Sequence, residues 1–295
     1  MKAVKPTTLT DAMLISSSAP ETDYSTYAAG TSYALNARCI YAHQVWECVQ
    51  SPSLGKTPDS NPLWWARISP TNRWAMFDSE ISSQTSVTSP LTVVLKPGTV
   101  NSLALFGLGG TTLAVTVRNG LAGEVVYSRT LTLDGTLIAD WYQYHFEPSV
   151  QRADVVLTDL PPYGDAHITI TLSGGGSVQC GIVLVGTVYV LGDTQYGATA
   201  SIIDYSRKDT SALGTTTFVQ RKYSKRLSAE LMLPNAQLNK VQRVLADLRA
   251  TPCAWIGTDT DGFDPLTVYG FYRDFSITVA YPNQSLCSLE LEGLT

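Results

Sequence analysis

Residues 111–119 read TTLAVTVRN, and that stretch decides how the chain folds. Leu113, Val115 and Val117 fall on one side of an extended backbone; Thr112, Ala114 and Thr116 fall on the other. A period of two marks a strand with one dry face and one wet face. The same texture runs outward on both sides, in LTVVLKP, NSLALFGL, EVVYSRTLTL, ADVVLTDL, HITITLSG and QCGIVLVGTVYVL. Turn signals separate these runs at Pro97-Gly98, Gly109-Gly110, Asn119-Gly120, Asp134-Gly135, Pro161-Pro162 and Gly174–Gly176. Residues 79–192 are therefore expected to form an antiparallel sandwich of about eight strands, most simply a jelly roll. The glycine run lies between two strands with no helix after it, which predicts a hairpin turn and not a phosphate cradle.

Further along, over 193–295, SIIDYSRKD, TTTFVQRKYSK and RLSAELML read as strands carrying more charge. PNAQLNKVQRVLADLRATP then gives the one strong helix signal, predicted over 235–250. Leu238, Val241, Leu245 and Leu248 make one apolar face, Asn235 is placed to cap the start, and Thr251-Pro252 stops it. CAWIGT, TVYGFYRDFSITVAY and SLCSLELEGL return to strand patterning, so this region predicts a β domain with one packed helix.

In the other direction lies a tryptophan-rich unit, 37–78, holding Trp46, Trp64, Trp65 and Trp74 of the six tryptophans. A run ending in VWECV, a polar loop with Gly55, Pro58 and Pro62, and then LWWARI suit a small sheet clamped by indoles. Exposed indoles stack on sugars or anchor partners, whereas buried ones hold a sheet together. Adjacent strand residues face opposite ways, which predicts Trp65 inside and Trp64 outside. WAMF (Trp74–Phe77) reads as an apolar plug at the joint with the sandwich. Residues 1–36 mix Ser, Thr, Ala and Tyr with little periodicity and read as an extended arm, a natural clasp onto a neighbouring subunit, or as a pair of short edge strands.

Composition narrows the function. The 295 residues are 44% hydrophobic and only 15% charged, with a net charge of -5. That permits a large core under a Ser- and Thr-rich surface, and it argues against a general nucleic-acid binder. The run Arg221–Arg226 is expected to be a solvated edge or a subunit contact, since strand alternation splits its charges between two faces. No stretch approaches the ~20 apolar residues of a membrane span, and the N-terminus lacks a signal-peptide core. The expected setting is a cytoplasm, or export as part of a particle. The five cysteines are scattered and none forms a CxxC pair, so free core thiols are expected, without disulfide or zinc.

Catalytic patterns are sparse. His43, His145 and His167 sit in strand or aromatic contexts and are expected to be structural. No GxSxG, Walker loop or HExxH is present. Asp259, Asp261 and Asp264 in GTDTDGFDP resemble the start of a calcium loop but lack its closing Glu, so a turn is expected. The expectation is a non-enzyme with no cofactor and no metal.

Two resemblances add to this. Trp46-Glu47-Cys48-Val49, Gly55-Lys56-Thr57-Pro58 and Trp64-Trp65, within Tyr41–Ile68, resemble the short chitin-binding modules of bacterial chitinases. That likeness covers about a tenth of the chain and implies Tyr41, Trp46, Trp64 and Trp65 as candidate carbohydrate-stacking residues. The broader resemblance rests on PTNRWAMFD leading into the sandwich, on RKYSKR, LNKVQRVLADLRA and PCAWIG, and on the closing SLELEGL. Together these resemble distal and minor tail proteins from the tail tips of long-tailed bacteriophages, including their tail-tube-like domain. The resemblance implies an all-β structural protein of the virion tail, assembled in the host cytoplasm. Its implied partners are copies of itself in a ring and neighbouring tail-tube and baseplate proteins, with no membrane and no specific nucleic acid. The alternative is an adhesin whose aromatic unit touches host surface glycan.

Overall fold

The computed structural model describes residues 1–136, 140–148, 150–210, 213–260 and 262–294. The fold is mainly β, and its named strands pair antiparallel. Every strand expected from alternation in the sandwich is present: Leu91–Leu95, Ser102–Phe106, Thr112–Asn119, Val125–Thr132, Val155–Leu157, Ala166–Ser173 and Ile182–Val190. The first pairs with the sixth, the second with the fifth and the third with the fourth, as in one long hairpin. Rolling that hairpin lets the third also meet the sixth, and the seventh meet the second, which is jelly-roll connectivity. Between the two sheets lies a core built from alternating positions. Leu91, Val93, Leu95, Leu113, Val115, Val117, Ile168, Ile170 and Leu172 come from one sheet, and Leu103, Leu105, Val183 and Val185 from the other.

The glycine run needs one correction. Ser177–Cys180, which follows it, pairs with Thr85–Thr88 and not with the preceding strand Ala166–Ser173. Gly174–Gly176 thus carries the chain from one sheet to another, and is not the turn of a hairpin.

The N-terminal segment departs further from the expectation of an arm. Leu14–Ser17 is a short edge strand of the five-stranded sheet, beside Leu91–Leu95, in line with the alternative of edge strands. Lys2–Pro6, however, is an interior strand of the ten-stranded sheet. It pairs on one side with Ile182–Val190 and on the other with Cys253–Ile256. Ala3 enters the core around the C-terminal helix, while Val4 enters a second core with Phe106, Ile182, Leu184 and Tyr269. Five residues lacking any polar-apolar alternation read as an arm because both of their faces are buried, as an interior strand requires. The sheet therefore runs unbroken across residue 192, and the start of the chain is not a free clasp.

Gly186 makes this crossing possible. It stands opposite Pro6, and a Cβ there would lie 1.9 Å from the Lys5 carbonyl oxygen. Gly270 plays the same part further across the sheet, with the Glu292 carbonyl oxygen only 2.0 Å from where its Cβ would be.

The C-terminal half extends this sheet through Cys253–Ile256, Thr267–Thr278, Gln284–Gly293 and Tyr223–Pro234. The expected helix is observed over Leu238–Asp247, entered by a 3-10 turn at Asn235–Gln237. Val241, Leu245 and Leu248 are buried against Leu231, Leu233, Trp255 and Leu289, each worth about 1.5–3 kcal/mol of burial. Asn235 is not its N-cap. Its side-chain amide donates to the carbonyls of Tyr281 and Pro282, which pins the helix start to the facing turn. A second helix, only six residues long, spans Trp141–Phe146.

Beyond Asp193–Thr194, the strand Thr199–Asp204 pairs with the start of Tyr223–Pro234 and continues as a two-stranded hairpin, Arg207–Thr210 with Thr216–Val219. Ile202, Tyr205, Phe218, Val219 and Tyr223 are all exposed along this projection.

Candidate functional site

The tryptophan-rich unit is a three-stranded sheet of Arg38–Tyr41, Gln44–Cys48 and Trp65–Pro70. Its small core is Cys39, Cys48 and Trp65, with Tyr27, Tyr33, Trp46 and Trp64 packed on it. Trp65 is only 2% exposed and donates its indole N–H to the Lys56 carbonyl at 2.7 Å. Tyr27 and Tyr33 meet it edge-on, at 5.9 and 5.2 Å. Trp65 is thus a core residue, and its place among the carbohydrate-stacking candidates is corrected: a ring enclosed by two tyrosines has no face for a sugar.

The other three candidates are partly exposed, and each is committed to a protein neighbour. Trp46 donates to the Tyr41 carbonyl at 3.1 Å and Trp64 to the Pro52 carbonyl at 3.1 Å. Lys56 Nζ sits 4.6 Å from the Trp64 ring centre, a cation–π contact. Tyr41 meets Tyr27 edge-on at 5.8 Å. Trp46, Trp64 and Trp65 thus share one small core, which Tyr41 joins through Tyr27.

At the tip of the first hairpin lies a polar knot that the sequence did not announce. Ala42 and His43 both have positive φ, 48° and 62°, in a two-residue turn usually made with Asn or Gly. What holds them is charge. His43 Nδ1 lies 2.8 Å from Glu21 Oε1 and its Nε2 lies 2.8 Å from Asp11 Oδ1. Burial opposes a charged ring here, but the hydrogen bonds to Glu21 and Asp11 outweigh it and hold the His43 pKa above its ordinary value. Glu21 also accepts from the Thr71 hydroxyl and lies 3.8 Å from Arg73, while the His43 ring rests 4.5 Å from Trp74. Six side chains, Asp11, Glu21, His43, Thr71, Arg73 and Trp74, thereby fasten the aromatic unit to residues 11–21 and to the joint. The plug at that joint is real in part: Ala75 and Met76 are buried, Met76 within the sandwich core, and Phe77 packs against it.

The remaining candidates disperse. Asp259 pairs with Lys2 at 2.7 Å and Asp264 with Arg152 at 3.4 Å, while Asp261 lies outside the described residues. No group of three His, Cys, Asp or Glu side chains among the described residues is arranged to hold a metal. His167 is buried and its Nδ1 lies 3.1 Å from the Asp165 carbonyl. All five cysteines are free and buried; burial pushes the thiol of Cys39 up to about 11 and those of Cys180 and Cys253 up to about 12. Cys39 stands opposite Trp46 in the register, so Cys48 is not its cross-strand neighbour. In the basic run, Lys225 pairs with Asp154 and Arg226 with Glu290, and Ser224 between the flanking charges is buried.

Sequence reasoning placed His145 among aromatics without assigning those aromatics a surface. On the short helix, Trp141, Tyr142, Tyr144 and Phe146 are all exposed. Asp140 caps it by accepting from the Gln143 amide at 2.7 Å. The available signal was the crowding of five rings into six residues with no apolar partner at helical spacing outside them. Among the described residues, no helix is long and apolar enough to cross a membrane. Neither the protein-family models nor the curated proteins contain a match to this chain.

Proposed function

We propose that this chain is a non-enzymatic structural subunit of a phage tail tip, joining copies of itself in a ring between the tail tube and the host-recognition apparatus. One observation carries the reading: the hairpin arm over residues 199–223. An isolated two-stranded hairpin is marginal in water. The outer part of this one, Arg207–Thr210 with Thr216–Val219, pairs with no further strand among the described residues and leaves Phe218 74% exposed. Such a surface is favoured where a neighbour covers it. The helix-on-sheet packing beside the arm agrees with the tail-tube-like arrangement that the sequence resembles.

The adhesin alternative draws less support, because Tyr41, Trp46, Trp64 and Trp65 are turned onto their own core rather than presented as a platform. Electron microscopy and native mass spectrometry of the purified full chain test the proposal. A ring with a central channel is the expected result. A monomer at every concentration, with the arm fully protease-accessible, would overturn it.

A further inference from the structure

The aromatic helix and the hairpin arm are complementary in charge as well as in apolar character. Residues 130–151, which carry the helix, contain Asp134, Asp140 and Glu147; the cations that flank them, Arg129 and Arg152, are paired within the chain, with Asp159 and Asp264. Residues 199–226, which form the arm and its base, contain Arg207, Lys208, Arg221, Lys222, Lys225 and Arg226 against Asp204 and Asp209. Three of those cations are used within the chain: Arg207 on Asp209, Lys225 on Asp154 and Arg226 on Glu290. Lys208, Arg221 and Lys222 enter no ion pair among the described residues.

The helix is also built as a ready-made contact. Its rings pack on one another along the helix, Trp141 stacking on His145 at 5.9 Å and Tyr142 lying 4.9 Å from Phe146. Ordering them costs little on binding, since their neighbours already restrict them. Below the helix, the two ends of its loop are tied together by the Asp134–Gln151 bridge and by Gly135 N–H donating to the Val150 carbonyl at 2.7 Å. The result is a knob on a short stalk, acidic at its margins and aromatic at its tip.

The exposed rings supply a large part of the surface that one side of such a contact needs. Trp141 is 79% exposed and Phe146 71%, with Tyr142 and Tyr144 similar. Aromatic side chains bury about 150–250 Å² each, so four rings at this exposure offer roughly 550 Å², against about 800 Å² per partner in a standard interface. The stalk and the base of the arm also border one cavity of about 570 Å³, lined by Gln151 and Arg152 from the stalk and Lys222 and Tyr223 from the arm. Knob and arm therefore rise from the same end of the molecule.

Resting on the assembly reading above, we propose that the knob Trp141–Phe146 of one copy seats on the basic, apolar arm of a second copy of this chain. The rings cover Phe218, Tyr223 and Ile202, and Glu147 faces Arg221 and Lys222. Buried aromatics supply the affinity of such a contact, and opposite charges at its rim supply the register and the rate of encounter.

Sedimentation velocity and native mass spectrometry on the full chain test this. The comparison uses wild type, Trp141→Ala, the pair Arg221→Glu with Lys222→Glu, and the compensating pair Glu147→Lys with Lys222→Glu. Every altered side chain is exposed, and unchanged melting curves verify folding. The expected result is self-association weakened at least tenfold by Trp141→Ala and by the double arm reversal, weakened by salt in the wild type, and recovered in the compensating pair. If wild type assembles and both disruptive variants assemble equally well, the knob–arm contact is wrong while the ring reading stands. If wild type never associates, both fall.

Discussion

Replacing Gly186 with alanine tests the interior placement of Lys2–Pro6 more sharply than any truncation. The new methyl carbon would sit 1.9 Å from the Lys5 carbonyl oxygen, where ordinary contact begins near 3.4 Å. The Lys2–Pro6 strand must then retreat from Ile182–Val190 by roughly 1.5 Å, beyond what a hydrogen-bond ladder tolerates. Ladder bonds between the two strands, with the neighbouring Thr7 N–H to Val185 carbonyl bond of 2.8 Å, would be lost or strained. Two or three bonds at about 1 kcal/mol net, plus about 1–3 kcal/mol for a buried group left unpaired, give about 3–6 kcal/mol. Total stabilities of about 5–15 kcal/mol make that a large fraction. At about 2–4 °C per kcal/mol, the melting temperature should fall by roughly 6–24 °C. Differential scanning calorimetry measures the shift, and hydrogen exchange locates it. Because the strand also pairs with Cys253–Ile256, faster exchange is expected there as well as in the sandwich. A variant melting within a degree or so of wild type, or loosening only the sandwich, would refute the argument.

The aromatic unit and the core give further tests. The His43 pKa is raised, so the stability it contributes is complete below its unfolded value near 6.5 and is lost as pH rises through the folded value. Tryptophan fluorescence reporting on Trp74 should therefore show the unit loosening as pH climbs above that value; the same profile in His43→Gln would contradict the polar knot. Trp65→Ala should cost about 3–5 kcal/mol, whereas Trp64→Ala, whose ring is partly exposed, should cost distinctly less. Chemical denaturation separates the two, and equal losses would mean that Trp64 is as much a core residue as Trp65. A thiol reagent at mildly alkaline pH should label no cysteine in the native protein and all five after denaturation, since each thiol is buried and burial raises the pKa of Cys39, Cys180, Cys253 and Cys287. Rapid native labelling of any one would place it at the surface.

Alternation made most of the fold legible. Each strand of the sandwich with one dry face appeared in the sequence as a period of two, and the helix over Leu238–Asp247 appeared through Val241, Leu245 and Leu248. What escaped were elements whose burial is not one-sided. Lys2–Pro6 is covered on both faces by two different cores, so it has no polar face to alternate with. Pairing partners escaped as well, because a strand's pattern states which face is dry and not which neighbour it meets; Ser177–Cys180 chose Thr85–Thr88 over the strand just before it. In the aromatic unit the sequence located the rings and correctly set Trp65 inside. The polar knot was hidden because Asp11, Glu21, His43 and Thr71 are far apart in the chain, and none is unusual by itself.

The same distances decide what the aromatic unit is. A segment of about forty residues without disulfide or metal buries too little surface to stand alone. Residues 37–78 fully bury few large side chains of their own, and two of the rings around Trp65, Tyr27 and Tyr33, come from outside that segment. Ser53, buried in the polar loop, accepts from the Tyr33 amide at 2.9 Å, while Asn36 N–H and the Ala37 carbonyl both bond to the Cys48 backbone. At the far end Met76 is already part of the sandwich core, and its amide donates to the Thr85 hydroxyl. A transplantable sugar-binding module would carry its core within its own boundaries and leave its rings outside. This unit completes its core with Tyr27 and Tyr33 from outside its boundaries, encloses Trp65, and anchors its turn through His43 to Asp11 and Glu21. Those contacts tie the unit to the segment that leads into the edge strand Leu14–Ser17 and to the joint with the sandwich, so the residues that resemble chitin-binding modules belong to a unit that is anchored from outside its own boundaries.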